Sequence, residues 1–575
     1  MSLDFNILIG GEAGQGVQSV GSVLAKTFMR GGYEVFADQD FESRIRGGHS
    51  FTRVRVSDYP VESPSEKVDM LLSLNGETTE KHLSDMRREG IIISDDDGAG
   101  VAVGGGVLLL DIPISKIAQD TTGNLRMTNT VASAAALGLL DYDFEILAGV
   151  LRQEYSRHGE QVAADNIKAA RAGFTFAQTN CPKEYKKHLK AGKPSGKMLI
   201  SGNEAVALGA IAAGCQFVSG YPMTPSTLIL EFLADKGRDF RIPVIQAEDE
   251  IAAINMAVGA AYTGARSLVA TSGGGFCLMT EGISLAGMTE TPVVIILGQR
   301  AGPSTGLPTR TEQGELEFAL HAGHGEFPRI LLAPANATEA FWLTIKAFNL
   351  AEMYQSPAII LTDHELADSY YTVTPFDLES VVIDRGDVLT DQEAEKQIDY
   401  KRYAYTESGV SPRAFPGQGK ALVVADSDEH SEAGHIIEDA QTRRLMVEKR
   451  MRKHEGIKKE INAPVIIHRS GARYNLIGWG SSRGAIEEAA MLLQTKGISV
   501  CVIHLAELWP FPTEAMIEAL AGAANNIVVE SNATGQLSRL IRTETGIKAD
   551  AHISRYDGRP LSAEYIIKNF AWKAA

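Results

Sequence analysis

The segment from Ser219 to Ile251, SGYPMTPSTLILEFLADKGRDFRIPVIQAEDEI, restricts the fold more than any other. It holds two turns in tandem, each leading into a helix. In the first, Gly220-Tyr221-Pro222-Met223-Thr224-Pro225, two prolines flank Thr224, fix much of the local backbone and aim the threonine hydroxyl. The apolar run Ile242–Ile245 then reads as a short buried strand. Gln246-Ala247-Glu248-Asp249-Glu250 leads from it into the small-residue helix IAAINMAVGAAYTGA. Acids in a first helical turn commonly serve as caps, because the macrodipole favours negative charge there. Glu248 stands apart, since it lies where a strand ends and a helix begins, and open α/β sheets place ligands there.

The rest of the chain extends this alternation. Between about 197 and 374 the strands MLIS, CQFVSG, PVIQ, SLVATS, PVVIILG, RILLA and PAIILTD alternate with helices, as in a parallel sheet covered by helices. Residues 1–180 form a separate unit. It starts with a strand at Phe5–Ile9, a glycine-rich turn at Gly10–Gly16, a helix at Val17–Arg30 and a strand at Tyr33–Ala37 that ends in Asp38. This looks like a dinucleotide fingerprint, but Ser19 occupies the third glycine position, which weakens it. Arg44 and Arg46 beside Gly47-Gly48 are candidate anion contacts; solvated charge at a domain face is the plainer reading. Residues 181–196, lysine-rich with two prolines, read as a linker. A connecting segment, 375–465, contains Asp426-Ser427-Asp428-Glu429-His430 and a charged run from Glu438 to Glu460 that reads as an exposed helix with acid–base pairs. Residues 466–575 form a third α/β layer, so the fold class is multidomain α/β.

Composition excludes several functions. The net charge of −17 argues against nucleic acid or an anionic membrane as partner. No stretch approaches the roughly 20 apolar residues of a membrane span. MSLDFNILIGG enters a strand without a basic front, so we expect a cytoplasmic protein. Cys181, Cys215, Cys277 and Cys501 lie far apart without CxxC spacing, so no iron–sulfur or zinc site is expected from this chain alone. Asp426–His430 reads as a solvated loop, and no metal is assigned to it.

YPMTPST followed by Q-A-E-D-E resembles the alpha chain of the thiamine-diphosphate-dependent 2-oxoacid:ferredoxin oxidoreductases, above all the type with a gamma domain fused in front of alpha. The resemblance spans nearly the whole chain. It implies a gamma domain at 1–180, a pyrimidine-binding domain at 197–374 and a transketolase C-terminal-like domain at 466–575, the last without catalytic residues. Thiamine diphosphate needs one carboxylic group on N1′ of its pyrimidine, which favours the imino tautomer. The resemblance puts that role on Glu248, with Asp249 and Glu250 as competitors. Tyr221, Pro222, Met223, Gly274 and Gly275 are implied cofactor contacts, and Ser272–Phe276 reads as a loop that lets backbone approach the thiazolium. Thr224 is implied to hold the substrate carboxylate, together with Arg300 and Thr309; Arg310 is a weaker candidate. Arg300 also emerges from the strand PVVIIL into GPSTGLPT, and arginine makes charge-assisted, often bidentate bonds to carboxylates. The gamma domain is implicated in coenzyme A binding, which gives Arg44 and Arg46 a candidate ligand.

The chain lacks the Gly-Asp-Gly motif that holds the diphosphate through Mg²⁺, and it lacks a cysteine cluster. The resemblance therefore implies a beta subunit carrying Mg²⁺ and a [4Fe-4S] cluster, a dimer of alpha–beta pairs, and ferredoxin as electron acceptor. The expected reaction converts 2-oxoacid, CoA and oxidised ferredoxin into acyl-CoA, CO₂ and reduced ferredoxin, in either direction. The fused form favours 2-oxoglutarate over pyruvate or branched-chain oxoacids. Indolepyruvate-type relatives carry ferredoxin-like cysteine motifs that are absent here. A non-catalytic nucleotide-binding scaffold leaves Thr224, Glu248 and Arg300 together unexplained, and nothing downstream supports a nicotinamide dehydrogenase.

Overall fold

The computed structural model describes residues 3–43, 47–95, 106–180, 188–467, 471–523 and 525–574, with side chains as far as 570. Arg44, Arg46 and Cys181 lie outside the described residues. The chain divides into two compact units: 1–200 with 368–375 and 562–564, and 201–367 with 376–561 and 565–575.

The first unit is built on an eight-stranded sheet. Its strand Asp4–Glu12 lies between His49–Ser57, antiparallel, and Val68–Ser73, parallel. The strand that follows the first helix, Glu34–Phe41, pairs with His49–Ser57 rather than with Asp4–Glu12. A dinucleotide-binding unit sets those two strands side by side and parallel, so the glycine turn does not belong to one. Asp38, which would have met a ribose, sits opposite Arg53 and forms an ion pair with it.

Two strands correct the expected boundary between units. Met198–Ser201, assigned from sequence to the second sheet, joins the first, beside Tyr370–Val373. Tyr370–Val373 pairs antiparallel with Glu34–Phe41, Thr372 Oγ1 accepts from Val35 N at 2.9 Å, and Tyr371 meets Phe36 edge-on at 5.2 Å. The described part of the expected linker, 188–196, has no helix or strand. It is nevertheless strapped to this unit: Leu189 is buried, Leu189 N donates to Leu140 O and Gly192 N to Gly31 O.

In the second unit, Phe217–Gly220, Ser267–Ser272, Val293–Gln299 and Pro357–Asp363 run parallel within a seven-stranded sheet. Three of these strands are buried along their whole length, as expected where helices cover both faces. Val244–Gln246 is the edge strand. It was expected to be buried, but an edge has a neighbour on one side only, and Ile245 is 39% exposed. The opposite edge is Glu507–Trp509, contributed antiparallel by the C-terminal region. That region forms a five-stranded sheet of its own, and Trp479, Ile503 and Leu505 share one core with Val269 and Ile295.

The charged run is a helix, Ala440–Glu460, but it is not a solvated one. Met446, Lys449, Arg450, Lys453 and Ile457 are buried along it. Lys449 and Lys453 both bind the carboxylate of Glu290, and Arg450 makes a forked contact with Glu429. Glu429 also pairs with Arg443, and His430 lies against Tyr403, with ring centroids 4.0 Å apart. Among the described residues, no group of three or more His, Cys, Asp or Glu could hold a metal ion. No described helix is long and apolar enough to cross a membrane.

Candidate functional site

Gly220, Ser272, Gln299 and Asp363 end four adjacent parallel strands, so the segments that follow them converge on one edge of the sheet. Tyr221 and Pro222 are exposed there, and Met223 and Thr224 are half-buried. The turn is held from beneath: Ser226 Oγ donates to Met223 O at 2.9 Å and Asn203 Nδ2 to Pro225 O at 3.0 Å. Pro225 packs so closely on the next strand end that a Cβ at Gly298 would come within 3.0 Å of it. Arg300 Nη1 donates to Thr224 O at 2.9 Å, which joins the two segments expected to share a substrate. Arg300 is 9% exposed, and its Nε has no hydrogen-bond partner among the described residues. Burial pulls its pKa below the usual guanidinium value, opposed by Glu315.

The three acids separate cleanly. Asp249 is the N-cap of Glu250–Tyr262 and accepts from Ala252 N at 2.7 Å. Glu250 turns inward and is buried; a Cβ on Gly275 would lie 2.6 Å from its Oε1. Glu248 is exposed, and Ala247 N, donating to Gly220 O at 2.9 Å, holds it beside the Tyr221 turn.

Gly273, Gly274 and Gly275 were expected in a loop. They form the first turn of the helix Gly273–Met288, capped by the extended residue Ser272. Tight packing requires two of them: a Cβ at Gly273 would sit 2.7 Å from Glu315 Oε1, and one at Gly275 would sit 2.2 Å from Thr271 Oγ1. Gly274 opens outward, its nearest neighbour at 4.0 Å. Ser272 Oγ makes no capping bond and is buried without a partner among the described residues.

The segment 300–315 folds back on itself, with Leu307 N donating to Ala301 O at 2.8 Å and Ala301 N to Arg310 O at 3.3 Å. Gly306 has φ +54°, and a Cβ there would strike Ala301 O at 1.9 Å. Thr309 is buried, and its carbonyl accepts from Arg310 Nη1.

Sequence reasoning missed what holds this segment. Gln313 Nε2 donates to Trp479 O, Gln313 Oε1 accepts from Ser531 N, and Asn532 Nδ2 donates to Gln313 O. Gln536 Nε2 donates to Gly314 O and its Oε1 accepts from Glu317 N. The C-terminal layer therefore clamps the segment 300–315 although it places no candidate side chain in the site. Gln313's partners lie 166 to 219 residues away, so no local pattern announces them. Glu315 was also missed. Burial pushes its pKa up to about 8, aided by Glu312 and opposed by Arg300. His364 is pulled down to about 4 by burial and by Arg310 and Arg300.

Three family models match the chain: "Pyruvate flavodoxin/ferredoxin oxidoreductase, thiamine diP-bdg" over residues 208–449, "Pyruvate ferredoxin/flavodoxin oxidoreductase" over 6–176, and "Pyruvate:ferredoxin oxidoreductase core domain II" over 472–566. The 2-oxoacid:ferredoxin oxidoreductase subunit alpha of Sulfolobus sp is 33% identical, over 96% of this chain and 94% of that one. The 2-oxoglutarate oxidoreductase subunit KorA of Mycobacterium tuberculosis is 28% identical, over 93% and 86%. The structure of Magnetococcus marinus 2-oxoglutarate:ferredoxin oxidoreductase, solved with 2-oxoglutarate, coenzyme A and succinyl-CoA bound, superposes with a TM-score of 0.93 at 33% identity and covers all of both chains.

Proposed function

Because the chain belongs to the alpha subunits of the 2-oxoacid:ferredoxin oxidoreductases, thiamine-diphosphate-dependent enzymes that act on 2-oxoacids, we propose that with a beta subunit it converts 2-oxoglutarate and CoA reversibly to succinyl-CoA and CO₂ while reducing ferredoxin. The observation that carries this reading is Arg300, buried, anchored through one nitrogen on the Thr224 carbonyl and left with an Nε that has no partner among the described residues.

The residues present fit the pyrimidine side of thiamine diphosphate. Glu248 offers an exposed carboxylate, Gly274 an open backbone, and Ser272 a hydroxyl lacking a partner. Glu248 would bond N1′, while Tyr221, Pro222, Met223, Gly274 and Gly275 would line the ring. When bound, the cofactor supplies the nucleophilic carbon and the electron sink for loss of CO₂. Arg300, Thr224 and Thr309 would hold the oxoacid carboxylate and aim the adjacent carbonyl. The burial of Arg300 strengthens that grip, because a charge-assisted bond gains where water is excluded. Mg²⁺ and a [4Fe-4S] cluster are assigned to the beta subunit, in a dimer of alpha–beta pairs. Arg44 and Arg46 stay candidate contacts for coenzyme A.

Arg300, Thr224 and Thr309 address the carboxylate common to all 2-oxoacids, so selectivity lies elsewhere in the pocket. The Magnetococcus and Mycobacterium proteins, both named for 2-oxoglutarate, favour that substrate. The Sulfolobus relative, named only for 2-oxoacids, supports pyruvate or a branched-chain oxoacid as second reading. Viologen reduction by the purified alpha–beta complex with 2-oxoglutarate, pyruvate and 2-oxoisovalerate decides between them, and no CoA-dependent turnover with any would overturn the function. In the same assay Arg300→Ala should lower kcat/KM for the oxoacid roughly 10- to 150-fold, the equivalent of a lost charged contact of ~1.5–3 kcal/mol, with thiamine content unchanged. Loss of bound thiamine together with activity would reassign Arg300 to the cofactor.

A further inference from the structure

Glu315 lies beside this site in an unusual state. Its backbone N–H donates to Gln299 Oε1 at 3.0 Å, which ties it to the residue preceding Arg300. Its carboxyl is pressed against Gly273, and Oε2 is buried with no hydrogen-bond partner among the described residues. Arg300 acts on it electrostatically, yet the two form no ion pair, and Arg300 Nε stays unpaired. An ionised carboxylate buried near a guanidinium whose Nε has no partner would be expected to close on it. A neutral carboxyl leaves that nitrogen free.

We propose that Glu315 is a positioning residue that controls oxoacid binding through its protonation state: uncharged, it leaves Arg300 to the substrate carboxylate; ionised, it competes for Arg300 and repels the substrate. The proposal rests on the assignment of Arg300 to the oxoacid. The groups facing Glu315 come from several elements. Arg300 at its strand end stabilises the ionised form, and Glu312 in the same segment disfavours it. Cys277, on the helix Gly273–Met288, is raised by burial and by Glu315 itself. Glu317, two residues further on, is paired with Arg539. Burial is the leading cause of the neutral state, with titration at about 8. Oxoacid binding is therefore strongest well below that pH and weakens above it.

The test is the KM for the oxoacid in the alpha–beta complex at saturating CoA, from about pH 6.5 to 9.5. Wild type should show a KM that rises up to about tenfold per pH unit above about 8, with kcat changing far less. Glu315→Gln, neutral at every pH, should remove that rise, and Glu315→Asp should restore it with a shifted midpoint. A rise that persists in Glu315→Gln, or an alkaline loss confined to kcat, overturns the proposal. Direct oxoacid binding to the wild-type complex reads the same dependence without any substitution, and a Kd that stays flat to pH 9.5 overturns it as well. A wild-type complex that turns over no oxoacid at all removes the functional assignment and this proposal together, a failure distinct from turnover with the wrong pH profile.

Discussion

Glu248→Gln should abolish oxoacid turnover while the complex assembles and keeps its fold. The expectation follows from how the three adjacent acids are used. Asp249 is committed to the helix N-cap and Glu250 to packing against Gly275, which leaves Glu248 as the acid that faces outward. An exposed Glu→Gln exchange is isosteric and removes no buried partner, so its structural cost should stay within about 0.5 kcal/mol. The chemical cost is of another order. A group that shifts a proton on the cofactor contributes about 10²- to 10⁴-fold. Asp249→Asn is the contrasting variant: it should lose at most about 1 kcal/mol of helix stability and keep measurable activity. Steady-state rates with quantified thiamine content separate the two, and near-normal turnover in Glu248→Gln would remove it from the cofactor.

The parts that sequence made legible are those with a local cause. SLVATS, PVVIIL and PAIILTD are mostly apolar runs of the kind a buried parallel sheet accommodates, and they form its centre. The YPMTP turn and Arg300 were readable because proline and a strand end fix their positions, although their joining through the Thr224 carbonyl was not. Gly273–Gly275 misled because glycine is a poor helix former. Here close contacts to Glu315 and Thr271 leave no room for a Cβ at Gly273 and Gly275, and packing overrides propensity. MLIS reads as a strand, but nothing in three apolar residues and a serine states which sheet it joins. Gln313, Asn532 and Gln536 act across the fold, beyond the reach of any local pattern.

The helix Ala440–Glu460 shows the same limit in its charges. Met446, Lys449, Arg450, Lys453 and Ile457 follow the 3, 4, 7, 11 spacing of one helical face. A hydropathy reading sends three of those five to solvent, yet Lys449 and Lys453 are 0% and 1% exposed at the side chain. Glu290, itself 1% exposed, is the counter-charge for both, and Arg402 Nη2 donates to its carbonyl at 2.7 Å. Burial raises the Glu290 carboxyl, but the two lysines and Arg402 together hold it well below the usual carboxylate range.

Glu290→Gln keeps the shape and removes the charge, leaving two buried ammonium groups without a counter-ion. Breaking one side of a buried pair costs about 3–5 kcal/mol. In this multidomain chain the loss is best read locally, as amide hydrogen exchange in Ala440–Glu460 accelerated roughly 10²- to 10⁴-fold. The penalty has a defined pH dependence. Burial already pulls Lys453 down to about 7 despite Glu290, and the variant loses that opposing charge. A lysine whose folded pKa lies below its unfolded value near 10.4 binds fewer protons folded than unfolded between the two, so stability rises with pH across that window. The variant's window opens at a lower pH than the wild type's, so the deficit of Glu290→Gln should be greatest in acid and shrink as pH rises to about 7, where Lys453 sheds its proton in the folded wild type as well. Replacing Glu290, Lys449 and Lys453 together by methionine should recover most of it, since apolar side chains of similar volume need no counter-charge. A deficit that is flat with pH, or a triple variant no better than Glu290→Gln, would mean that shape rather than charge docks this helix.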